Sequence, residues 1–436
     1  MQSVMKHQFS EVPHANIQRS SFDRSHGFKT TFDAGKLVPI LVDEILPGDT
    51  VNLNMTGFAR MATPIFPVMD NAFMDTHFFA VPVRLLWDNW KKFNGEQTNP
   101  GDSIDYTIPT MTSPAGGYDN ESLSDYFGIP TQVAGLEHSS LWHRAYNLIF
   151  NEWYRDENLQ DSITTSTSDG PDSPTDYVIQ RRGKRHDYFT SCLPWPQKGD
   201  AVNLPLGEKA YVKWDSFTDG LPEDKYAAAF QASGHGVLNY SSTLASNGFN
   251  LPNAEYQNMY ADLTSATAAT INQLRESFAI QHLLEKTARA GSRYTEIIKG
   301  HFGVTSPDAR LQRPEYLGGG SSPIIVTPIE QTSSTDATSP QGNLAAMATS
   351  TLNGHGFTKS FTEHCILIGL VSVRADLTYQ QGLDRMFSRS TRYDFFWPSL
   401  ANIGEQAVLN KEIYADGTAA DDDIFGYQER WAEYRY

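Results

Sequence analysis

The sequence predicts a mainly β fold, a sandwich or barrel carrying large loop insertions that contain a few α-helices. Three observations carry this. Two segments, near residues 50–56 and 73–83, show a two-residue hydrophobic period. The longest apolar run has the unbroken character of a strand buried on both faces. The helical segments fall between widely spaced strands, without βαβ alternation.

In chain order, residues 1–36 are polar and aperiodic, with five Lys/Arg against three Asp/Glu. They read either as an extended arm ordered by a partner surface or as a disordered tail. In "DTVNLNMTG", Val51, Leu53 and Met55 alternate with polar residues, as in a half-buried strand entered through the Pro47-Gly48 turn. "AFMDTHFFAVPV" sets Phe73, His77, Phe79, Val81 and Val83 on one face. Asp75 is the polar exception there, His77 is expected to be a hydrogen-bonded sheet residue, and Pro82 marks an edge or a strand end.

Helical spacing follows over about 140–158, where Leu141, Ala145, Leu148, Ile149 and Trp153 recur and Ser140 stands at the cap position. A second helix, about 270–290, opens on a Thr270–Gln273 capping box. It runs through Leu274, Phe278, Ile280, Leu283 and Leu284 to Lys286 and Arg289, which suit the helix dipole, and stops at Gly291. Beyond Gly300 the turn-rich stretch is expected to hold one short strand, Ile324–Val326, with Gly318–Gly320 in a loop. "EHCILIGLVSVRADL" is the strongest strand of all. No solenoid or propeller repeat is present.

From Tyr226 to Tyr260 there is no Lys or Arg and a single acid, Glu255, while Tyr226, Phe230, Tyr240, Phe249, Tyr256 and Tyr260 are spread among small polar residues. An excursion packed against copies of itself accounts for both features, and a poorly ordered loop is the plainer alternative.

Composition narrows the function. With 34 Lys+Arg against 51 Asp+Glu the formal charge is −17, so polyanion contact must be local. The two cysteines, Cys192 and Cys365, form no C-x-x-C pattern and read as buried free thiols in a reducing compartment. The N-terminus lacks the apolar core of a signal peptide, and "CILIGLV" is too short to span a membrane, so a soluble intracellular product is expected. No P-loop, G-x-S-x-G elbow or H-E-x-x-H occurs. Asp421-Asp422-Asp423 reads as a solvated turn. His364 cannot activate its strand neighbour Cys365, because adjacent side chains point to opposite faces. No catalytic residue, cofactor or metal is expected. One basic stretch stands out in this acidic chain: "RRGKRHDYFTSCLPWPQKGD" begins with Arg181, Arg182, Lys184 and Arg185. Its residues alone fit a reactive loop, a nucleic-acid contact or a rigid connector.

Several long stretches together resemble the major capsid proteins of the gokushovirus branch of the microviruses, small single-stranded DNA phages. They include "SSFDRSHGFKTTFDAGKLVPILVDEILPGDTVNLNMTGFARMATPIFPVMDNAFMDTHFFAVPVRLLW", "RAYNLIFNEWYRDENLQD", "RRGKRHDYFTSCLPWPQKG", "HFGVTSPDARLQRPEYLGG" and "GLVSVRADLTYQQGLDRMFSRSTRYDFFWPSLANIGEQ". The resemblance implies a viral jelly-roll β-barrel or sandwich, in chains that assemble through fivefold, threefold and twofold contacts into a simple icosahedral shell around circular single-stranded DNA. It implies residence in the virion, with assembly in the host cytoplasm. It implies as partners a small basic DNA-binding protein, an internal scaffolding protein and a pilot protein, with no membrane.

Resemblance is weakest over Asp200–Asp262, where the family carries a threefold protrusion associated with host recognition. The implied division is therefore an arm at 1–36, jelly-roll strands at 37–204 including the 140–158 helix, a protrusion at 205–262, and helix, loops and remaining strands at 263–436. Arg181, Arg182, Lys184 and Arg185 then belong to a connector into the protrusion, stiffened by Pro194 and Pro196. They pair with neighbouring subunits or contact interior DNA. In the arm, Lys6, Arg19, Arg24, Lys29 and Lys36 are the candidates for an inward-facing contact. An acidic shell cannot itself neutralise packed DNA, which calls for a basic protein or polyamines inside. The family's chains continue past the point aligned with "YQERWAEYRY", so missing terminal strands and unpaired sheet edges are expected here. A carbohydrate-active β-sandwich using paired carboxylates, and a monomeric adhesin binding through Tyr226–Tyr260, are the rival readings.

Overall fold

The computed structural model describes residues 18–64, 68–203, 211–214, 259–262, 270–333, 340–401 and 403–436. Its strands are β1 (Val38–Ile45), β2 (Thr50–Arg60), β3 (Ala72–Pro82), β4 (Thr110–Thr112), β5 (Glu137–Ser139), β6 (Tyr211–Trp214), β7 (Met259–Asp262), β8 (Glu315–Glu330), β9 (Leu344–Ser360), β10 (Cys365–Ala375), β11 (Glu405–Leu409) and β12 (Ile424–Glu429). The helices are α1 (Trp90–Phe93), α2 (Leu123–Tyr126), α3 (Leu141–Ile149), α4 (Ile271–Ala290), α5 (Tyr294–Phe302), α6 (Asp308–Leu311) and α7 (Asn410–Ile413).

Six strands form one antiparallel sheet in the order β1-β10-β3-β8-β9-β2. The long strands β8 and β9 curl it into a half-barrel. The first half of β8 pairs with β3 and its second half, from Ile325, pairs with the start of β9; the rest of β9 pairs with β2. The curl brings β9 back over the centre, so that the Phe357 ring lies 5.7 Å from that of Phe78.

Two cores result. One face of β3 and β10 (Phe79, Val81, Ile366, Ile368, Leu370) packs against α3 and the loops, with Trp87, Met111, Ala145, Tyr146 and Ile149 buried among them. The other face (Met74, Ala80, Leu367, Val371) meets Leu352 and Phe361 inside the curl. Strand β10 is buried on both faces over eight successive residues, Cys365–Ser372, which accounts for its unbroken apolar run. Edge strand β2 instead alternates exposed and half-buried positions along its whole length, as its period indicates.

Four expectations need correction. The stretch reduced to Ile324–Val326 is a 16-residue strand, and Gly318–Gly320 lies inside it rather than in a loop. Glycine is required at these strand positions because neighbouring groups leave no room for a side chain. A Cβ on Gly319 would sit 2.0 Å from the Thr76 carbonyl oxygen, and one on Gly320 would sit 2.5 Å from the His355 ring. Ser140 occupies the N-cap position of α3, but its hydroxyl donates to the Pro109 carbonyl and makes no cap. Helix α3 then loosens into a π-turn over Phe150–Tyr154, ending short of 158.

The capping box of α4 is present: the Thr270 amide donates to Gln273 Oε1 at 2.9 Å and the Gln273 amide to Thr270 Oγ1 at 3.2 Å. Gly291 closes the helix with φ +103°, which L side chains rarely adopt. Most of the apolar stripe of α4 faces solvent: Ile271 is 70% and Phe278 65% exposed. Among the described residues, no helix is long and apolar enough to cross a membrane.

Candidate assembly and nucleic-acid surfaces

Register on the three central strands builds the seat for the basic connector. Ser372 of β10, Asp75 of β3 and Ser321 of β8 are direct cross-strand neighbours. Ser321 donates to Asp75 Oδ1 at 2.6 Å. Arg182 lies across this row, donating to Asp75 Oδ2 and to Ser372 Oγ, each at 2.7 Å, and Arg374 reaches the same carboxylate at 3.1 Å. Burial by itself would raise the Asp75 pKa, but the Ser321 hydroxyl and the two guanidinium groups outweigh it and hold the carboxyl below its usual range. Arg182 also lies over the ring of Tyr154, whose hydroxyl is hydrogen-bonded to His77 at 2.8 Å. Burial, reinforced by Arg182, pushes the His77 pKa down to about 4, so this sheet histidine is neutral at pH 7.

The remaining connector residues diverge from Arg182. Arg185 pairs with Asp376 at 2.7 Å at an exposed position and lies over the Phe73 ring. Arg181 and Lys184 are exposed. Main-chain bonds lay the connector along the end of the arm: Leu37 donates to Gln180, and Arg182 to Gly35, at 2.9 and 2.8 Å. Further on, Leu193 and Tyr427 exchange main-chain hydrogen bonds, which attaches the connector to the β11–β12 pair.

In the arm, Arg19 donates to the Gly48 carbonyl, Arg24 pairs with Asp43 at 2.7 Å, and Lys36 pairs with Asp33 at 2.9 Å. Lys29 is exposed. Lys6 lies outside the described residues, as do Tyr226, Phe230, Tyr240, Phe249 and Tyr256. Tyr260 lies in β7, which pairs antiparallel with β6, Lys213 standing opposite Tyr260. The pairing joins chain from either side of the 215–258 stretch.

Two features escaped the sequence reading. Arg144 on α3 makes a bidentate pair with Asp172, both contacts at 2.6 Å and both side chains buried, and also donates to the carbonyls of Leu86 and Ser168. The second is an aromatic surface after β10. Phe387 is 70% exposed, and Tyr393, Phe395, Phe396 and Trp397 are each about half exposed. Its signal was available in the density of aromatic and Arg residues in "RMFSRSTRYDFFW".

The thiols and the aspartate cluster are occupied structurally. Cys192 and Cys365 are buried free thiols, and burial pushes each pKa up to about 12. Asp422 pairs with Lys411, while Asp421 accepts from the amides of Asp416 and Gly417. Among the described residues there is no grouping of three or more His, Cys, Asp or Glu able to hold a metal ion.

A curled antiparallel sheet dressed in long ion-paired loops and exposed aromatic turns is the architecture of a jelly-roll structural protein. Comparison with known proteins specifies which. A family model described as "Capsid protein (F protein)" matches residues 10–436. The capsid protein VP1 of Bdellovibrio phage phiMH2K is 51% identical over 442 residues, covering 99% of this chain and 83% of that protein. The capsid protein VP1 of Chlamydia phage 1 is 46% identical over 510 residues (100% and 85%), and that of Spiroplasma virus 4 is 38% identical over 458 residues (99% and 83%). The chain belongs to this family of phage capsid proteins.

Proposed function

We propose that this chain is the shell-forming subunit of a small phage, assembling with identical copies into an icosahedral capsid around circular single-stranded DNA. The observation that carries the reading is the surface itself. A member of a capsid family displays Met386, Phe387, Phe395, Phe396 and Trp397 in one turn, each between 47% and 70% exposed. A solitary protein seldom leaves so many large apolar side chains of one short segment in water, and a neighbouring subunit would cover them. The role is architectural, with no catalytic step.

In this reading the arm with Lys6, Arg19, Arg24, Lys29 and Lys36 faces inward. Arg181 and Lys184, the connector cations left exposed, meet either DNA or an adjacent subunit. The 205–262 insertion forms the protrusion for host recognition. Its aromatics Tyr226, Phe230, Tyr240, Phe249, Tyr256 and Tyr260 pack against copies of themselves, and the β6–β7 pairing at its base supports a closed excursion. The net charge of −17 calls for separate cations inside, a small basic DNA-binding protein or polyamines, and the family resemblance adds internal scaffolding and pilot proteins. Cryo-electron microscopy of particles from cells producing the chain with these partners tests the assignment. Closed shells with the arm inside and the insertion outside are expected; an outward arm or a buried insertion contradicts it.

A further inference from the structure

Two exposed segments that flank β11 carry opposite charge. Arg385–Trp397 contains three Arg against one Asp, whereas Tyr414–Phe425 contains four Asp and no Lys or Arg. Charges in both remain unmatched among the described residues. Arg385 and Arg389 are taken up by Glu412 and Glu433, at 3.0 and 3.1 Å. Arg392, in contrast, lies over the Tyr393 ring at 4.7 Å with no carboxylate partner among the described residues. In the second segment Asp422 is paired with Lys411, but Asp416 and Asp423 have no cationic partner among the described residues.

Each segment also exposes apolar surface. The first projects Phe396 and Trp397, 51% and 47% exposed. The second surrounds an open hollow of about 300 Å³ lined by Ile413, Tyr414 and Phe425 and edged by Asp416 and Asp421. A main-chain bond of 2.7 Å from Leu383 to Lys411 fastens the two regions to one platform, so their relative placement repeats from copy to copy.

We propose that the Arg385–Trp397 segment of one copy docks on the aspartate-edged Tyr414–Phe425 hollow of a neighbouring copy, with Arg392 meeting the aspartates of that segment that lack a cationic partner. The proposal rests on the assembly reading above and adds to it the identity of one contact. A second copy satisfies both segments at once, whereas a polyanion drawn to the arginines would be repelled by the four nearby carboxylates. Joining two different patches gives a heterologous contact, which closes into a ring when its rotation divides the full turn evenly.

The test uses the full chain in sedimentation velocity over a concentration series, with thermal melting as the folding control. Arg392→Glu and Asp423→Arg are each expected to raise the concentration needed for association about tenfold or more, with melting unchanged, since like charges then face each other. The double variant R392E/D423R restores the pairing in reversed sense and is expected to associate nearly as the parent does. Trp397→Ala, which keeps every charge, is also expected to weaken association. Single variants that associate like the parent, or a double variant no better than the singles, overturn the docking while leaving assembly intact. So does an R392E chain that loses affinity for an oligo-dT strand yet still self-associates, since the segment then serves nucleic acid. A parent chain solitary at every concentration overturns the assembly reading itself.

Discussion

Arg182 reaches Asp75 at 2.7 Å on the inner strand of the six-stranded sheet, and through that bond the basic connector is fixed to the subunit's own core. Both side chains are largely buried, and Asp75 serves a second guanidinium from Arg374. Removing the carboxylate leaves two cations without their partner. Asp75→Ala is therefore expected to cost about 3–5 kcal/mol in urea denaturation. Asp376→Ala removes only an exposed partner of Arg185 and is expected to cost about 1 kcal/mol or less. Equal costs for the two would contradict the anchoring role.

Buried histidines set the acid limit of the fold. His77 has its pKa lowered to about 4 and His143 to about 3, in each case chiefly by burial. In the unfolded chain both titrate near 6.5, so between pH 6.5 and 4 the unfolded state holds more protons than the folded one. Stability is therefore fully present above pH 6.5 and falls progressively as pH drops toward 4. Asp75 and Asp172, both held below the usual carboxylate range, extend the loss to lower pH. Urea midpoints measured from pH 7 to 4.5 check this, and a flat profile would count against neutral histidines in the core.

The thiols give an independent check on packing. Cys192 and Cys365, with pKa values near 12 and little exposure, are expected to resist thiol-labelling reagents at pH 8 in the native protein and to react promptly in denaturant. Rapid labelling of either without denaturant would show that the surrounding core opens.

Close approach inside the curl predicts the cost of a single methyl group. Gly319→Ala would drive its Cβ into the Thr76 carbonyl and is expected to destabilise by about 3 kcal/mol. Gly354→Ala meets open space but must hold φ at +72°, so a smaller cost of about 1 kcal/mol is expected. Denaturation midpoints of the two variants rank them; the reverse order would contradict the placement of β8 against β3.

What the sequence made legible was local. The period of β2, the continuous burial of β10, the capping box of α4 and the packed character of both thiols each depend on a residue and its near neighbours. What it hid was non-local. Gly318–Gly320 looks like a loop until Thr76 and His355, far away in the chain, are placed beside it. The destination of Arg182 depends on the register that aligns Ser372, Asp75 and Ser321, and nothing within RRGKR encodes that register. The buried Arg144–Asp172 pair was hidden for the same reason. The aromatic turn at Met386–Trp397 was visible as composition, but its exposure depends on how the loops after β10 wrap the β11–β12 pair.

The most direct test is electron microscopy combined with sedimentation of the full chain over a concentration series. Closed particles of uniform diameter, with the Met386–Trp397 turn protected from solvent at subunit borders, are the predicted result. A population of single folded chains at every concentration, with that turn still open to water, would contradict it.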